Sequence, residues 1–253
     1  MGVRLAELHL LRHGESTANA DGLFTGITDV HLTAAGVTEA EHAAQLLVQS
    51  GAVPDRIWIS SLSRTAETVA GMLPLFLPKT PPVIADWRLN ERNYGALTGL
   101  SKAAVATTYG RQQFLTWRRS YATAPPPMDV ARLDEFAHTE PFRSLPPEAL
   151  TSTESLGDVV KRVTPFWQEQ LSPGLILSAR TLVVGHGNSL RALAMLIQNL
   201  SIPAVEQLNI PTGHPLRYRF DLSPRTPELL SATYLDPAAA VEAATLLARQ
   251  GGT

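Results

Sequence analysis

The sequence predicts an α/β fold of three layers, in which a mostly parallel central sheet carries helices on both faces. Three short apolar runs predict strands, at residues 8–11, 57–59 and 181–184, and each run ends abruptly at polar residues. A helical pattern follows each run. Strands that alternate with helices favour a parallel sheet that is covered on both sides.

The helical segments have recognisable ends. Thr33 can cap a helix that Gly51 and Pro54 stop, and a second helix begins near Ser63. The apolar positions of the first helix are Val37, Ala40, Ala44 and Leu47. Residues 189–199 and the Ala-rich residues 237–249 complete the predicted helices, and residues 250–253 are expected to be frayed.

The chain, residues 1–253, is expected to form a single domain. The stretch from about residue 78 to 152 is rich in proline and weakly periodic. It predicts a mainly helical and loop insertion that covers the C-terminal edge of the sheet and narrows access to it. Ligands of such sheets bind beyond the carboxyl ends of the strands.

Composition excludes several classes of function. The 21 Lys and Arg residues against 23 Asp and Glu residues give a net charge of −2, which argues against nucleic acid and anionic membranes as partners. No cysteine is present, so disulfides and thiolate metal sites are excluded. No apolar run approaches the about 20 residues of a membrane span. A cytoplasmic location is therefore expected.

Basic and nucleophilic side chains follow the predicted strands. Arg12 and His13 come after the first strand, Arg64 after the second and His186 after the third. Because parallel strands end at the same edge of a sheet, we expect these four side chains to converge.

The string Arg12-His13-Gly14 has suitable chemistry for phosphoryl transfer. Neutral imidazole is a competent nucleophile with a reference pKa of about 6.5. The planar guanidinium of Arg12 suits phosphate oxygens. Gly14 is expected to let the backbone approach a ligand because it has no Cβ.

A family resemblance runs through most of the chain. The segments LRHGESTAN, FTGITDVHLTAAG, SLSRTAET, DWRLNERNYGALTGLSKA, WRRSYATAPPP, TESLGDVVKRVTPFW, VVGHGNSLRAL and LNIPTGHPLRYRF occur in this order. Together they resemble the histidine phosphatase superfamily and, more narrowly, its cofactor-dependent phosphoglycerate mutases. The strings LNER, GLSK and WRRS are features of the mutase branch.

The resemblance implies a role for each chemical group. His13 matches the histidine that carries the phosphoryl group, and His186 matches the second histidine, which contacts that group in the transition state. Arg12 and Arg64 would complete the pocket, where positioned cations supply most of the catalysis. Glu91 matches the acid/base residue that exchanges protons with the substrate hydroxyls.

Further positions match the groups that bind the substrate carboxylate and phosphate. They are Ser16, Asn19, Thr25, Gly26, Arg92, Tyr94, Lys102, Arg118, Arg119, Gly187 and Asn188. Three positions depart from the mutase pattern, since Ala18 and Ile27 stand where tryptophan is typical and Asn93 where histidine is typical.

The function that the resemblance implies is the interconversion of 3-phosphoglycerate and 2-phosphoglycerate in glycolysis and gluconeogenesis. His13 would be primed by 2,3-bisphosphoglycerate, without a metal. Two alternatives stay open: a phosphatase of small phosphate esters that uses the same phosphohistidine, and a catalytically silent protein that binds phosphorylated metabolites. The partner in each case is a small phosphorylated compound. The resemblance also implies a homodimer or a homotetramer.

Overall fold

One mixed sheet organises the protein. The computed structural model describes residues 4–223, 226–249, 251 and 252. In this part of the chain, six strands form a sheet in the order β3-β2-β4-β1-β5-β6. The strands are β1 (Leu5–Arg12), β2 (Arg56–Ile59), β3 (Val83–Ala85), β4 (Arg180–Gly185), β5 (Leu216–Asp221) and β6 (Glu228–Tyr234). The first four are parallel, whereas β5 is antiparallel to β1 and β6 to β5. The predicted fold class is confirmed.

Helices cover both faces of this sheet. The helices of the described residues are α1 (Thr17–Ala20), α2 (Ala34–Gln49), α3 (Ser63–Met72), α4 (Lys102–Arg119), α5 (Val130–Ala137), α6 (Leu156–Phe166), α7 (Ser172–Leu177), α8 (Gly187–Gln198), α9 (Ile202–Gln207) and α10 (Pro237–Arg249). Short 3-10 turns and a π-helical turn at Trp167–Leu171 join some of them. Helix α4 bends at Gly110, whose φ of 80° favours glycine.

Two apolar cores lie on opposite faces of the sheet. On one face, Leu8 and Leu10 of β1 pack with α6 and α8. On the other face, Leu11 packs with α2 and α3. Successive side chains of a strand point to opposite faces, so β1 contributes to both cores and is buried on both sides. This burial fixes the register of the strand that leads into His13.

Several sequence predictions are confirmed and others are refined. The side chain of Thr33 accepts a hydrogen bond from the N–H of Gly36, as the predicted cap requires. Val37, predicted on the apolar face of that helix, is 39% exposed, because the buried face is made of alanines and Leu47. Helix α10 has the predicted bounds.

Two predictions about the less regular segments need correction. The region 78–152 holds α4 and α5 but also β3, an edge strand of the sheet, so part of it belongs to the central layer. Residues 250 and 253 of the predicted frayed end lie outside the described residues. Gly251 and Gly252 are buried, since a Cβ on either would touch side chains of α4.

A close backbone contact anchors the loop after β1. A Cβ at Gly14 would lie 2.1 Å from the carbonyl oxygen of Gly36 in α2. A Cβ at Gly36 would lie 2.1 Å from the carbonyl oxygen of Glu15. Gly14 is therefore required for helix packing, which corrects the expectation that it serves the approach of a ligand. The contact places the first turn of α2 directly behind the residue that follows His13.

We expect Gly36→Ala to lower the free energy of unfolding by about 1–3 kcal/mol, because backbone must move to admit the methyl group. The measurement is urea denaturation followed by circular dichroism. Gly71→Ala in α3 is the matched control, since its Cβ would meet Ala40 at an ordinary 3.5 Å. Alanine is the better helix former there, by about 1 kcal/mol. Equal effects of the two substitutions would contradict the close contact.

Candidate active site

The two predicted histidines meet at the carboxyl edge of the sheet. Strands β1 and β4 are neighbours, and His13 and His186 follow them directly. Their ring centroids are 4.9 Å apart. Arg64, in the first turn of α3 after β2, donates its Nε hydrogen to Nε2 of His13 (3.3 Å) and to Nδ1 of His186 (3.2 Å). The predicted convergence is therefore present.

The hydrogen bonds of His13 define its tautomer. Nδ1 lies 2.7 Å from the carbonyl oxygen of Gly14, and a carbonyl can only accept. The ring proton therefore sits on Nδ1. Nε2 therefore carries no proton, as a nucleophilic imidazole nitrogen requires, and its lone pair accepts from Arg64.

His186 is held in the opposite tautomer. Nδ1 accepts from Arg64, so Nε2 carries the proton and donates it to the hydroxyl of Ser60 at 2.8 Å. Ser60 is in turn bonded to the hydroxyl of Thr65 at 3.0 Å. The unprotonated nitrogens of both rings therefore face one cation.

Burial and charge keep both rings neutral. Burial, and then the charges of Arg64 and Arg12, lower the pKa of His13 well below 6.5. Burial, Arg64 and the neighbouring His13 likewise lower the pKa of His186 well below 6.5. Nε2 of His13 is thus available as a nucleophile throughout the neutral pH range.

Arg64 also fixes the loop that follows Phe24. Its Nη1 donates to the carbonyl of Thr28 at 2.9 Å and its Nη2 to that of Gly26 at 3.0 Å. Gly26 has a φ of 52°, which favours glycine. The carboxylate of Asp29 accepts from the backbone N–H of Ser63 at 2.7 Å, so the loop is tied to the start of α3 from both sides.

Glu91 accepts three N–H groups on one oxygen. Its Oε1 accepts from the backbone N–H of Arg92 (2.7 Å), the backbone N–H of Asn188 (3.3 Å) and Nδ2 of Asn188 (3.0 Å). Asn188 lies in the first turn of α8, where the helix dipole favours a negative charge. These three hydrogen bonds fix the position of Oε1.

A partly buried ion pair holds the segment that carries Glu91. Arg162 of α6 donates to Glu154 through Nε (2.7 Å) and Nη2 (3.1 Å). It also donates to the carbonyls of Arg88 (2.6 Å) and Asn90 (2.9 Å). Glu154 accepts from the backbone N–H of Asn93 at 2.9 Å. The backbone on both sides of Glu91 is therefore fixed by one guanidinium–carboxylate pair.

Three of the four converged groups, Arg12, His13 and Arg64, line a small cavity of about 30 Å³, whereas His186 lies behind Arg64 and does not line it. The cavity is lined by Arg12, His13, Asn19, Leu23, Phe24, Thr25, Gly26, Arg64, Glu91, Tyr94 and Lys102. A wider vestibule of about 640 Å³ shares Arg12, Asn19 and Lys102 with it and is also lined by Arg118 and Gly252. His13 and Glu91 thus face a common inner space, and further cations face its entrance.

Burial weakens the affinity of these cations for protons. Burial, Arg118 and Arg12 lower the pKa of Lys102 to about 7. Burial, together with Arg12 and other nearby cations, lowers the pKa of Arg118 to about 10 although Tyr94 opposes the shift. Such a concentration of buried positive charge is costly unless an anion neutralises it.

Five of the predicted substrate-binding residues do not line either cavity: Ser16, Arg92, Arg119, Gly187 and Asn188. The hydroxyl of Ser16 caps α1. Arg92 is buried, lies over the ring of Tyr94 and donates to the carbonyl of Trp117 at 2.8 Å.

Arg119 forms hydrogen bonds that hold the segment after α9 in place. It donates to the carbonyls of Glu206 (2.7 Å) and Leu208 (2.9 Å) and to Oδ1 of Asn209 (2.9 Å), and it lines a separate groove. Gly187 is buried as the first residue of α8. Asn188, by contrast, reaches the site through Glu91.

Sequence reasoning missed the residues that hold the acting groups. Ser60 accepts from Nε2 of His186, and Thr68 accepts from the backbone N–H of Gly14 at 3.1 Å. The signal for Arg162 and Glu154 was available, because both lie in the segment TESLGDVVKRVTPFW, which carried the resemblance without an assigned role.

Neither a metal site nor a membrane span is found in the described part of the chain. Among residues 4–223, 226–249, 251 and 252, no group of three or more His, Cys, Asp or Glu side chains could hold a metal ion. No helix of the same residues is long and apolar enough to cross a bilayer.

The parallel sheet, with two neutral imidazoles around one arginine at its carboxyl edge, defines a phosphohistidine type of site. The sequence profile of the histidine phosphatase superfamily (branch 1) matches residues 8–138, and the chain belongs to this superfamily. The chain is 44% identical over 99% of both sequences to a protein of Rhodococcus jostii (strain RHA1) named 2,3-bisphosphoglycerate-dependent phosphoglycerate mutase. A protein of the same name from Thermobifida fusca (strain YX) is 44% identical over 98% of this chain and 100% of that one.

Solved structures share the fold at lower identity. A protein described as mycobacterial hydrolase 1 has a TM-score of 0.68 at 23% identity and covers 90% of this chain and 98% of its own. The α-ribazole phosphatase of Shigella flexneri has a TM-score of 0.64 at 22% identity and covers 89% of this chain and 95% of its own. At this identity the likeness supports the architecture alone.

We expect the rings of His13 and His186 to stay neutral at pH 5.5, while the exposed His31 titrates above 6.5 because Glu67 raises its pKa. The measurement is the pH dependence of imidazole ¹⁵N chemical shifts. Nδ1 should carry the proton in His13 and Nε2 in His186.

The same groups make stability depend on pH. Unfolded histidines take up protons near pH 6.5, whereas the folded rings do not, so the unfolded state binds more protons below that pH. The free energy of unfolding should therefore fall as the pH is lowered from 7 to 5. A His13 ring that titrates near 6.5 in the folded protein would contradict the assignment.

Proposed function

We propose that the chain interconverts 3-phosphoglycerate and 2-phosphoglycerate through a phosphohistidine on His13, primed by 2,3-bisphosphoglycerate. The observation that carries the proposal is that Glu91 and Lys102 line the same cavity as His13. A nucleophile, an acid/base group and a second cation are what transfer between two hydroxyls of one phosphorylated carboxylate requires. The relatives named as mutases support the same activity.

The residues present fit a bisphosphorylated carboxylate as cofactor. Arg12 lines the cavity, and its buried Nε has no hydrogen-bond partner among the described residues. With Lys102 and Arg64 it supplies several separated cations, as a ligand with three anionic groups needs. When bound, 2,3-bisphosphoglycerate supplies the phosphoryl group that His13 carries.

The chain's own groups then have defined tasks. Nε2 of His13 forms the bond to phosphorus, while the carbonyl of Gly14 holds the proton on Nδ1. Arg64 and Arg12 face the phosphoryl oxygens, where charge is spread in the transition state. His186 completes the pocket beside Arg64.

Glu91 serves the substrate hydroxyl. It takes the proton of the attacking hydroxyl as phosphorus passes from Nε2 of His13 to that oxygen, and it returns the proton to the oxygen that leaves in the other direction. Lys102 and Arg118, at the entrance, are the candidate partners of the substrate carboxylate. Their position sets which of the two hydroxyls faces the phosphoryl group.

The three departures from the mutase pattern do not open the site. Ala18 is buried, and Ile27 packs with Leu62 and Met128 in an apolar cluster. Asn93 accepts from the backbone N–H of Gly95 at 2.8 Å. Because these positions are closed, they give no access to water that would favour the phosphatase alternative. The silent binding protein is disfavoured by the tautomer of His13, which keeps the proton off Nε2.

We expect 2-phosphoglycerate to form from 3-phosphoglycerate, with strong stimulation by traces of 2,3-bisphosphoglycerate, and His13→Ala to abolish it. The assay follows both 2-phosphoglycerate and inorganic phosphate. His138→Ala is the control, because that ring is exposed and lines neither cavity. Phosphate release without isomerisation would identify a phosphatase, and inactivity in both channels would identify a binding protein.

We expect the KM for 3-phosphoglycerate to rise about tenfold between pH 7 and 8.5, since Lys102, with its pKa lowered to about 7, loses its charge over this range. Steady-state kinetics across the pH range provide the measurement. In Lys102→Arg the guanidinium stays charged, so the rise should disappear. A rise that persists in that variant would show that another group titrates.

The oligomeric state is a separate question. The dimer or tetramer that the resemblance implies stays a prediction, which light scattering on the purified protein would decide.

A further inference from the structure

A buried arginine outside the cavity contacts the site through one side chain. Arg191 lies one turn after Asn188 in α8 and is fully buried. Its Nη1 donates to Oδ1 of Asn188 at 3.0 Å. Its Nε (3.2 Å) and Nη2 (2.7 Å) donate to the carbonyl of Val205 in α9. The proposed reaction gives this guanidinium no task.

Arg191 determines which way the amide of Asn188 points. The two ends of an asparagine amide have nearly the same shape but opposite hydrogen-bonding roles. A guanidinium can only donate, so Oδ1 must face Arg191. Nδ2 is thereby turned to Oε1 of Glu91 (3.0 Å) and the hydroxyl oxygen of Tyr94 (3.1 Å).

This orientation makes the two oxygens of Glu91 unequal. Oε1 accepts from Nδ2 of Asn188 and from the backbone N–H groups of Arg92 and Asn188. An oxygen surrounded by N–H donors is a poor place for a proton, because an added O–H would face those donors. Oε2 is the oxygen left to exchange a proton with a substrate hydroxyl.

We propose that Arg191 is a positioning residue that, by orienting the amide of Asn188, keeps the proton off Oε1 of Glu91 and directs proton transfer to Oε2. The inference rests on the proposed acid/base role of Glu91. If the amide were reversed, Oδ1 would face the carboxylate, and the ionised form of Glu91 would lose a donor and gain a repulsive contact.

The test is the acidic limb of the pH profile of kcat/KM for 3-phosphoglycerate, which reports the base of the free enzyme. Arg191→Met removes the donors, and its acidic limb should move to higher pH by about one unit, since a donor to a charged group is lost. Arg191→Lys keeps a group that only donates, so its limb should stay within a few tenths of a unit of the wild type.

A double-mutant cycle separates an effect of Arg191 through the Asn188 amide from a direct effect of its charge on Glu91. Asn188→Ala should itself move the limb to higher pH, and Arg191→Met added to it should move the limb no further. Additive shifts would overturn the proposal, because they would mean that Arg191 acts on Glu91 directly by its charge.

A second pair of variants covers the case in which Arg191→Met does not fold, which circular dichroism would reveal. Arg191→Gln brings an amide that can accept as well as donate, so it permits the reversed orientation and should shift the limb where Arg191→Lys does not. If the acidic limbs of kcat/KM lay at the same pH in Arg191→Gln and Arg191→Lys, the proposal would be overturned. Glu91→Gln tests the underlying role separately: a wild-type acidic limb in that variant would refute the acid/base assignment itself.

Discussion

The guanidinium of Arg64 is the group on which the geometry of the site depends. It is buried and bonds to two unprotonated ring nitrogens and to the carbonyls of Thr28 and Gly26. None of the ion pairs in the described part of the chain includes it. Burial lowers its pKa to about 10, which leaves it charged at neutral pH. A buried cation that has only neutral partners is stabilised further by any anion placed between the two rings.

The neighbouring groups follow from this constraint. Neutral rings of His13 and His186 are the partners that a buried cation tolerates, and their neutrality is what nucleophilic attack requires. Arg12, Lys102 and Arg118 add positive charge around the cavity and its entrance, so the unliganded protein carries a local electrostatic strain that a phosphorylated carboxylate relieves. The same positive charges therefore bind the ligand and are already in place to stabilise the transition state.

The sequence predicted the parts of this arrangement that topology determines. Because parallel strands end at one edge, the positions of His13, Arg64 and His186 after three predicted strands were sufficient to bring them together. The two antiparallel strands and β3 were not predicted. The three residues of β3 follow Pro81 and Pro82 in the proline-rich stretch, β5 alternates apolar and charged residues, and β6 is partly exposed along its length. Strands β5 and β6 therefore lack the continuous apolar run that identified the others.

Among the residues of the site, the arginines were the hardest to assign a role from the sequence. A guanidinium stands at the end of a long flexible chain, and its position relative to the backbone gives little information about where its donors point. Arg119 belongs to a motif of the family but bonds to backbone carbonyls near α9. Arg162 instead holds the backbone around Glu91, and Arg191 contacts Glu91 through Asn188, and only these contacts reveal their connection to the cavity.

The neighbouring position of β1 and β4 has a consequence for the newly made chain. These strands lie side by side although most of the sequence separates them. Contacts between residues so far apart in the sequence form slowly during folding. His186 leaves the ribosome long after His13, and until β4 is inserted the first imidazole has neither its partner ring nor its sheet neighbour. A polypeptide that has not yet inserted β4 therefore lacks the pair of imidazoles on which the proposed phosphoryl transfer depends.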